Sequence, residues 1–350
     1  MLEFGKSISP ARKQMQLFTA GPSQNPKEVL EILQTPTIHH RSDEFKALFE
    51  KCRSLLKKII NLPHVFCLCS SGSGAMESAI SSLNPQKILV LNHGKFSRRW
   101  LDIAKAFNIP AINYEISPQE IHSIPKILDY LNEGVDCVCL QTCESSSGTK
   151  QDFISITKAI KSHNPKILTL VDGIASFCTE EIPTNNIDVL ITSSQKALML
   201  PVGLGFVHLS EFALQNIQNT KAKSFYTSLQ NYLKNPIAFS LPSNLFFALK
   251  FALEFYTPRL QEQYTLIQKR FEILSSLFED HQIELYSNYP SAGIIAFHDQ
   301  NEIIKKKLKD RGILISGGQD ELKNQISRIG NFGILQNFDL LHKELKNTLN

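Results

Sequence analysis

The sequence predicts an α/β protein in which a large domain, built on a mostly parallel seven-stranded sheet flanked by helices, precedes a smaller C-terminal α+β domain. Three observations predict it. Short apolar runs bounded by turn residues alternate with amphipathic stretches from Val65 to Leu209, the sequence form of a doubly wound sheet. Beyond Leu209 the rhythm changes to long helical patterns and then to a shorter mixed region. The composition, 42% hydrophobic and 20% charged over 350 residues with 16 glycines and 16 prolines, is that of a folded globular chain and excludes collagen-like or mainly disordered architectures.

Each element follows from local pattern. The strand candidates of the large domain are Val65–Cys69, Lys87–Leu91, Ala111–Tyr114, Val135–Gln141, Ile167–Val171, Asp188–Thr192 and Leu204–Leu209. Between them, apolar positions at helical spacing predict helices over 42–60, 74–83, 95–107, 119–132 and 151–163. Ser42 before Asp43 and Glu44, and Asp152 before Ile154, supply N-cap signals. Long helical patterns follow at 243–256 and 259–281, and Pro258 between them marks a hinge or a kink. Strands near 283–286, 292–297, 311–315 and 325–330 belong to the smaller domain. The expected organisation is an N-terminal arm over 1–17, a large domain over 18–258 and a small domain over 259–350.

Charge and cysteine usage exclude several function classes. The 37 Lys+Arg against 33 Asp+Glu give a net charge of +4, too weak and too dispersed for a nucleic-acid or membrane footprint. No apolar run reaches the ~18 residues that span a bilayer, and MLEFGKSISPARKQMQLF lacks the apolar core of a secretory signal. We therefore expect a cytoplasmic protein with no nucleic-acid and no membrane partner. The 7 cysteines, Cys52, Cys67, Cys69, Cys137, Cys139, Cys143 and Cys178, are odd in number and form no CxxC pair. That argues against a disulfide framework or a zinc ribbon, and no metal site is expected.

The chemistry begins at strand ends. The run Ile167–Val171 ends in Asp172-Gly173, and ligands of open α/β sheets bind beyond the carboxyl ends of the strands. The next strand candidate runs into Ser193-Ser194-Gln195-Lys196-Ala197. Lys196 is followed by Ala197-Leu198-Met199-Leu200, so its amine is expected in an apolar pocket, where desolvation lowers its pKa and favours the nucleophile. An Asp and a Lys at neighbouring strand ends match what pyridoxal phosphate requires. The lysine forms a Schiff base, and the carboxylate keeps the ring nitrogen protonated so that the ring accepts electrons. A phosphate cradle is the third requirement. Ser70-Ser71-Gly72-Ser73-Gly74-Ala75-Met76-Glu77 offers small residues, hydroxyl donors and a helix amino terminus between a strand and a helix.

With these residues in order, the chain resembles the class V aminotransferases of the type I pyridoxal phosphate fold, in the branch of serine–pyruvate and alanine–glyoxylate aminotransferases. The matching segments run from about Phe18 to Gly333: Thr19-Ala20-Gly21-Pro22, His40-Arg41-Ser42, the Ser/Gly turn, Asn92-His93-Gly94-Lys95-Phe96-Ser97-Arg98-Arg99, Glu144-Ser145-Ser146-Ser147-Gly148, Val171-Asp172, Ser194-Gln195-Lys196-Ala197, Leu200-Pro201-Val202-Gly203-Leu204 and Ser327-Arg328-Ile329-Gly330. The resemblance implies that Lys196 carries the cofactor and shuttles the proton, that Asp172 pairs with the ring nitrogen and that Phe96 stacks on the ring. It implies that Ser71, Gly72, Ser73 and Gln195 hold the phosphate and that Ser145 bonds the phenolic oxygen. Arg328 would bind the substrate α-carboxylate through its planar fork, with Gly21 at the substrate. Ser240 would reach the phosphate of a neighbouring subunit, which implies a homodimer with shared active sites. His40 and Arg41 match a family segment without a derivable chemical role.

Thr142-Cys143 replaces the His-Asn usual before the Glu, and Ser73 stands where many relatives carry Thr or His, so specificity is open. The expected activity is transamination from a serine- or alanine-type donor to a pyruvate- or glyoxylate-type 2-keto acid by a ping-pong mechanism. The alternative is phosphoserine or aspartate exchange with 2-oxoglutarate. A second anion site would discriminate, with Arg41, Lys95, Arg98 and Arg99 as candidates. A lyase or cysteine desulfurase on the same scaffold is disfavoured because Gln195, not histidine, precedes Lys196 and no cysteine follows Cys178. A fold retained without catalysis is disfavoured because Lys196, Asp172 and Arg328 are all present. A nucleotide-binding P-loop lacks its Lys-Ser/Thr.

Overall fold

The computed structural model describes residues 15–350, so the first fourteen residues of the expected arm over 1–17 lie outside the described residues. Seven strands form the main sheet: β1 His64–Ser70, β2 Ile88–Asn92, β3 Ala111–Glu115, β4 Cys137–Gln141, β5 Leu168–Asp172, β6 Val189–Ser193 and β7 Gly203–Leu209. Their spatial order is β1-β7-β6-β5-β4-β2-β3. Only β7 runs against its neighbours, pairing antiparallel with both β1 and β6, while the remaining pairs are parallel. The expected mostly parallel seven-stranded sheet is thus the one observed, each strand within a few residues of its pattern.

Alternation along the strands explains why both faces are covered. Val65, Cys67, Leu89, Leu91, Val138, Leu140, Val171, Leu190 and Phe206 face one apolar layer, which includes Phe45, Phe49 and Phe246. Phe66, Leu68, Ile88, Val90, Cys137, Cys139, Leu170, Ile191 and Val207 face the other, packed with Met76, Trp100 and Tyr232. All seven cysteines are free, and six of them are buried as small apolar side chains.

The helices used below are α1 Asp43–Ile59, α2 Gly72–Leu83, α3 Lys95–Ala106, α4 Ile124–Leu131, α5 Phe153–His163, α6 Glu211–Gln218, α7 Ser243–Tyr256, α8 Leu260–Asp280, α9 Ile303–Asp310 and α10 Phe338–Leu349. Ser42 caps α1 by accepting from the Phe45 N–H, and Asp152 caps α5 by accepting from the Ser155 N–H. Pro258 sits in a single 3-10 turn, Thr257–Arg259, which separates α7 from α8. A second sheet, β8 Ile294–His298, β9 Ser316–Gly317 and β10 Ile326–Gly330, is antiparallel and packs with α8, α9 and α10 around Phe278, Phe297 and Ile329.

Several expectations are corrected. The helix over 74–83 starts at Gly72, because burial of Ala75, Met76 and Ala79 against the sheet overrides the weak helix propensity of the Ser/Gly run. The helix over 119–132 begins only at Ile124, with Pro125 in its first turn, where a missing N–H costs nothing. The strand near 283–286 is reduced to one bridge, Leu285 to Phe297. The strand near 311–315 survives as Ile313–Leu314 and pairs in parallel with Gln16–Leu17, not with the second sheet.

Candidate active site

The parallel strands end along one edge of the sheet, and a cavity of about 270 Å³ opens there. Asp172 is the last residue of β5 and is buried. Its Oδ1 accepts from the Ile174 N–H at 2.9 Å, and its Oδ2 accepts from Gln141 Nε2 at 3.1 Å, Gln141 being its register partner on β4. Burial pushes its carboxyl pKa up, against the opposing pull of these donors and of Lys196. A cation or an N–H placed beside it would therefore be held strongly.

Lys196 follows β6 in a tight loop. The Ser23 N–H and Oγ donate to the Gln195 and Lys196 carbonyls, at 2.9 Å and 2.7 Å, so the segment around Gly21 pins the loop. Gly21 has φ +126°, and a Cβ there would lie 3.4 Å from Lys196 Cε, so glycine lets the backbone pass against the lysine stem. Lys196 Nζ donates to Ser145 Oγ. Burial lowers its pKa to about 8, only partly offset by Cys143 and Asp172, so roughly a fifth of the amine is neutral near pH 7.4, far more than for an exposed lysine. Cys143 also lines the cavity, and burial pushes its thiol up to about 12, which leaves it unreactive as a nucleophile.

Ser71, Gly72 and Ser73, at the start of α2, also line the cavity. No side chain caps that helix, so its first N–H groups are available to an anion. Glycine at 72 leaves room for Ile174, whose Cδ1 would stand 2.1 Å from a Cβ there and would have to turn away. Gln195 lines the same cavity with a buried side-chain oxygen that has no partner, and its amide can turn either end towards a ligand. A helix amino terminus, two hydroxyls and an unpartnered amide fit a phosphate group.

Phe96, in the first turn of α3, forms part of the wall, with Lys196 Nζ 6.0 Å from its ring centroid. Gly94 precedes α3 and brings no side-chain cap. The cap comes from another element: the fully buried Glu144 accepts from the Phe96 N–H at 3.0 Å, the Ser97 N–H at 2.9 Å and the Ser146 N–H at 2.9 Å. Next to it, the Ser145 carbonyl accepts from Arg328 Nη1 at 2.5 Å. Arg328 comes from β10, and its Nε and Nη2 donate to the Gly317 carbonyl at 3.1 Å and 2.6 Å. Those three contacts leave two of the five guanidinium donors for a carboxylate. Burial lowers the Arg328 pKa to about 10, so it stays charged at neutral pH.

The cavity thus brings together Gly21, Ser71, Gly72, Ser73, Phe96, Ser145, Asp172, Gln195, Lys196 and Arg328. Ser240 is not among its lining residues; it is exposed on a loop before α7. Of the four cations considered for a second anion site, Lys95 pairs with Asp320 at 3.1 Å, Arg98 pairs with Glu115 at 3.5 Å, and Arg41 is exposed. Arg99 alone of these lines the cavity. Sequence reasoning missed what Gln141 and Glu144 do. Glu144 lay in plain view in a matched segment, but its partners stand about fifty residues earlier, and no spacing rule connects them. Among the described residues no cluster of metal-ligating side chains occurs, and no helix is long and apolar enough to cross a membrane.

Comparison with known proteins agrees with this geometry. The family described as Aminotransferase class-V matches residues 15–325. An uncharacterized aminotransferase of Helicobacter pylori strain J99 is 32% identical over 336 residues, covering 92% of this chain and 89% of the relative. A serine–glyoxylate aminotransferase of Arabidopsis thaliana is 25% identical over 353 residues, covering 93% of this chain and 87% of its own length. Among solved structures, a subgroup IV aspartate aminotransferase from Thermus thermophilus superposes with a TM-score of 0.89 at 28% identity, covering 95% of this chain and 98% of its own.

Proposed function

Because the chain belongs to the class V aminotransferase family and is a transaminase, we propose that it uses pyridoxal phosphate to move an amino group from a serine- or alanine-type donor to glyoxylate or pyruvate. The observation that carries this reading is the convergence of Lys196, Asp172 and Arg328 on one cavity that the uncapped start of α2 also lines. Pyridoxal phosphate, when bound, supplies an electron sink for the electron pair left at the substrate α-carbon. The chain's own residues do the rest. Asp172 holds the ring nitrogen in its protonated form, and Ser71, Gly72, Ser73 and Gln195 hold the phosphate. Phe96 would cover the ring, and Ser145 Oγ, which accepts from Lys196 Nζ, would donate to the phenolic oxygen. Lys196 Nζ attaches the cofactor and carries the α-proton. Arg328 orients the substrate by its α-carboxylate through its two free donors.

Two half-reactions then share one cavity, the first keto acid leaving before the second enters, and this gives ping-pong kinetics. The exposed Ser240, which does not line its own chain's cavity, fits a homodimer in which it reaches the partner's phosphate. The serine donor is supported by the serine–glyoxylate relative. Aspartate is the second reading, favoured by the Thermus structure.

The test presents alanine, serine, phosphoserine, aspartate and glutamate one at a time, without keto acid, to protein reconstituted with pyridoxal phosphate. Rapid-scan absorbance follows the cofactor. Serine or alanine is expected to discharge the visible band. Discharge by aspartate, glutamate or phosphoserine alone transfers the assignment to the acidic donors.

A further inference from the structure

The walls of the cavity carry three cations, Lys196, Arg328 and Arg99, against one carboxylate, Asp172. Lys196 and Arg328 have the roles proposed above, and Arg99 has none. It lies one turn along α3 from Phe96, so both side chains leave the same helix face, and its guanidinium sits 5.0 Å from the Phe96 ring centroid. Arg99 Nη1 donates to Ser73 Oγ at 2.6 Å. Its neighbours Lys95 and Arg98 each have a carboxylate partner, whereas among the described residues no ion pair involves Arg99.

A half-buried guanidinium that lines the cavity with no counter-ion, and is tied to a hydroxyl at the start of an uncapped helix, is a site for a multiply charged oxyanion. We propose that Arg99 is the counter-charge of the cofactor phosphate: it turns Ser73 towards the phosphate and neutralises the dianion that the α2 amino terminus can offset only in part. This rests on the pyridoxal phosphate reading above, and it bears on the substrate. With Arg99 engaged by phosphate and Arg328 by the α-carboxylate, no cation of this chain lining the cavity remains for a side-chain acid. Within this chain's own contribution to the cavity, that favours a donor with an uncharged side chain.

The experiment uses the full-length protein stripped of cofactor, as wild type, Arg99→Met and Arg99→Lys. Calorimetry measures the affinity for pyridoxal phosphate and for pyridoxal, which differ only in the phosphate. Arg99→Met is expected to weaken pyridoxal phosphate by ~10-fold to 100-fold, the range of one charge-assisted hydrogen bond. Pyridoxal binding stays unchanged, and Arg99→Lys recovers part of the loss because it keeps the charge. Equal weakening of both ligands would show that Arg99 acts by bracing Phe96 or the fold, and would overturn the proposal. So would unchanged pyridoxal phosphate affinity with a raised KM for aspartate or glutamate, which moves Arg99 to the substrate. A wild type that binds neither ligand instead defeats the cofactor reading itself.

Discussion

At Lys196 a single side chain shows how burial sets chemistry. Desolvation outweighs the nearby carboxylate, so the amine titrates at about 8 where an exposed lysine titrates at ~10.4. Only the neutral amine attacks a carbonyl, so capture of pyridoxal phosphate by the stripped protein should accelerate as pH rises from 6 and level off above about 8. Stopped-flow absorbance with borohydride trapping measures this, and Lys196→Ala should show no trapped product at any pH. A rate still climbing tenfold per unit at pH 9 would mean that the lysine is not desolvated in solution. The candidate residues were legible because their types and order carry the information: a lysine among apolar residues, an aspartate at a strand end, hydroxyls before a helix. The roles of Gln141, Glu144 and Arg99 were not, since each works through a partner on another element. Arg99 meets Ser73 across 26 residues, and Glu144 meets Phe96 across 48.

Helix α3 depends on a cap that its own sequence lacks. Glu144 supplies it from outside, and the same carboxylate also receives Ser97 Oγ and Ser146 Oγ, at 3.2 Å and 2.6 Å. Glu144→Ala would leave the Phe96, Ser97 and Ser146 N–H groups without their acceptor and remove a negative charge from a helix amino terminus, a loss of about 2–4 kcal/mol. Urea denaturation should show that loss, with Glu144→Gln intermediate because it keeps one acceptor oxygen but brings an NH₂ into a ring of donors. Loosening Phe96 should also alter the circular dichroism of bound cofactor. A variant with wild-type midpoint and spectrum would remove Glu144 from this role. Elements with strong periodicity and local caps, such as α1 with Ser42 and α5 with Asp152, could be read from the chain alone. The start of α2 could not, because serine and glycine favour turns and only packing against the sheet makes them helical. Nor could the fate of Ile313–Leu314, whose partner strand lies near the opposite end of the chain.

For the whole molecule, alternation of strand and helix announced a doubly wound sheet, but the order β1-β7-β6-β5-β4-β2-β3 and the reversal of β7 are properties of three-dimensional closure with no local signal. That closure buries histidines to which the sequence assigned no role. His93 and His208 are both inside, and desolvation lowers each pKa from 6.5 to about 3. His122, 5.4 Å from His93 between ring centroids, is lowered by burial as well. In the unfolded chain these imidazoles take up protons below about 6.5. The folded protein does not until far lower pH, so stability present at neutral pH is lost as pH falls through that window. Each of His93 and His208 accounts for about 2 kcal/mol by pH 5, together a sizeable part of a typical ~5–15 kcal/mol. Asp172 acts in the opposite sense: its raised pKa makes the folded state bind a proton earlier than the unfolded chain, so acid relieves its penalty. With three histidines lowered against this one raised carboxyl, the expected net effect is a loss of stability on acidification. Urea midpoints should therefore drop markedly between pH 7.5 and pH 5, and a His93→Gln, His208→Gln double variant, less stable at neutral pH, should show a much shallower drop. If the double variant lost stability with the wild-type slope, the acid sensitivity would have to come from the surface and not from the closed interior.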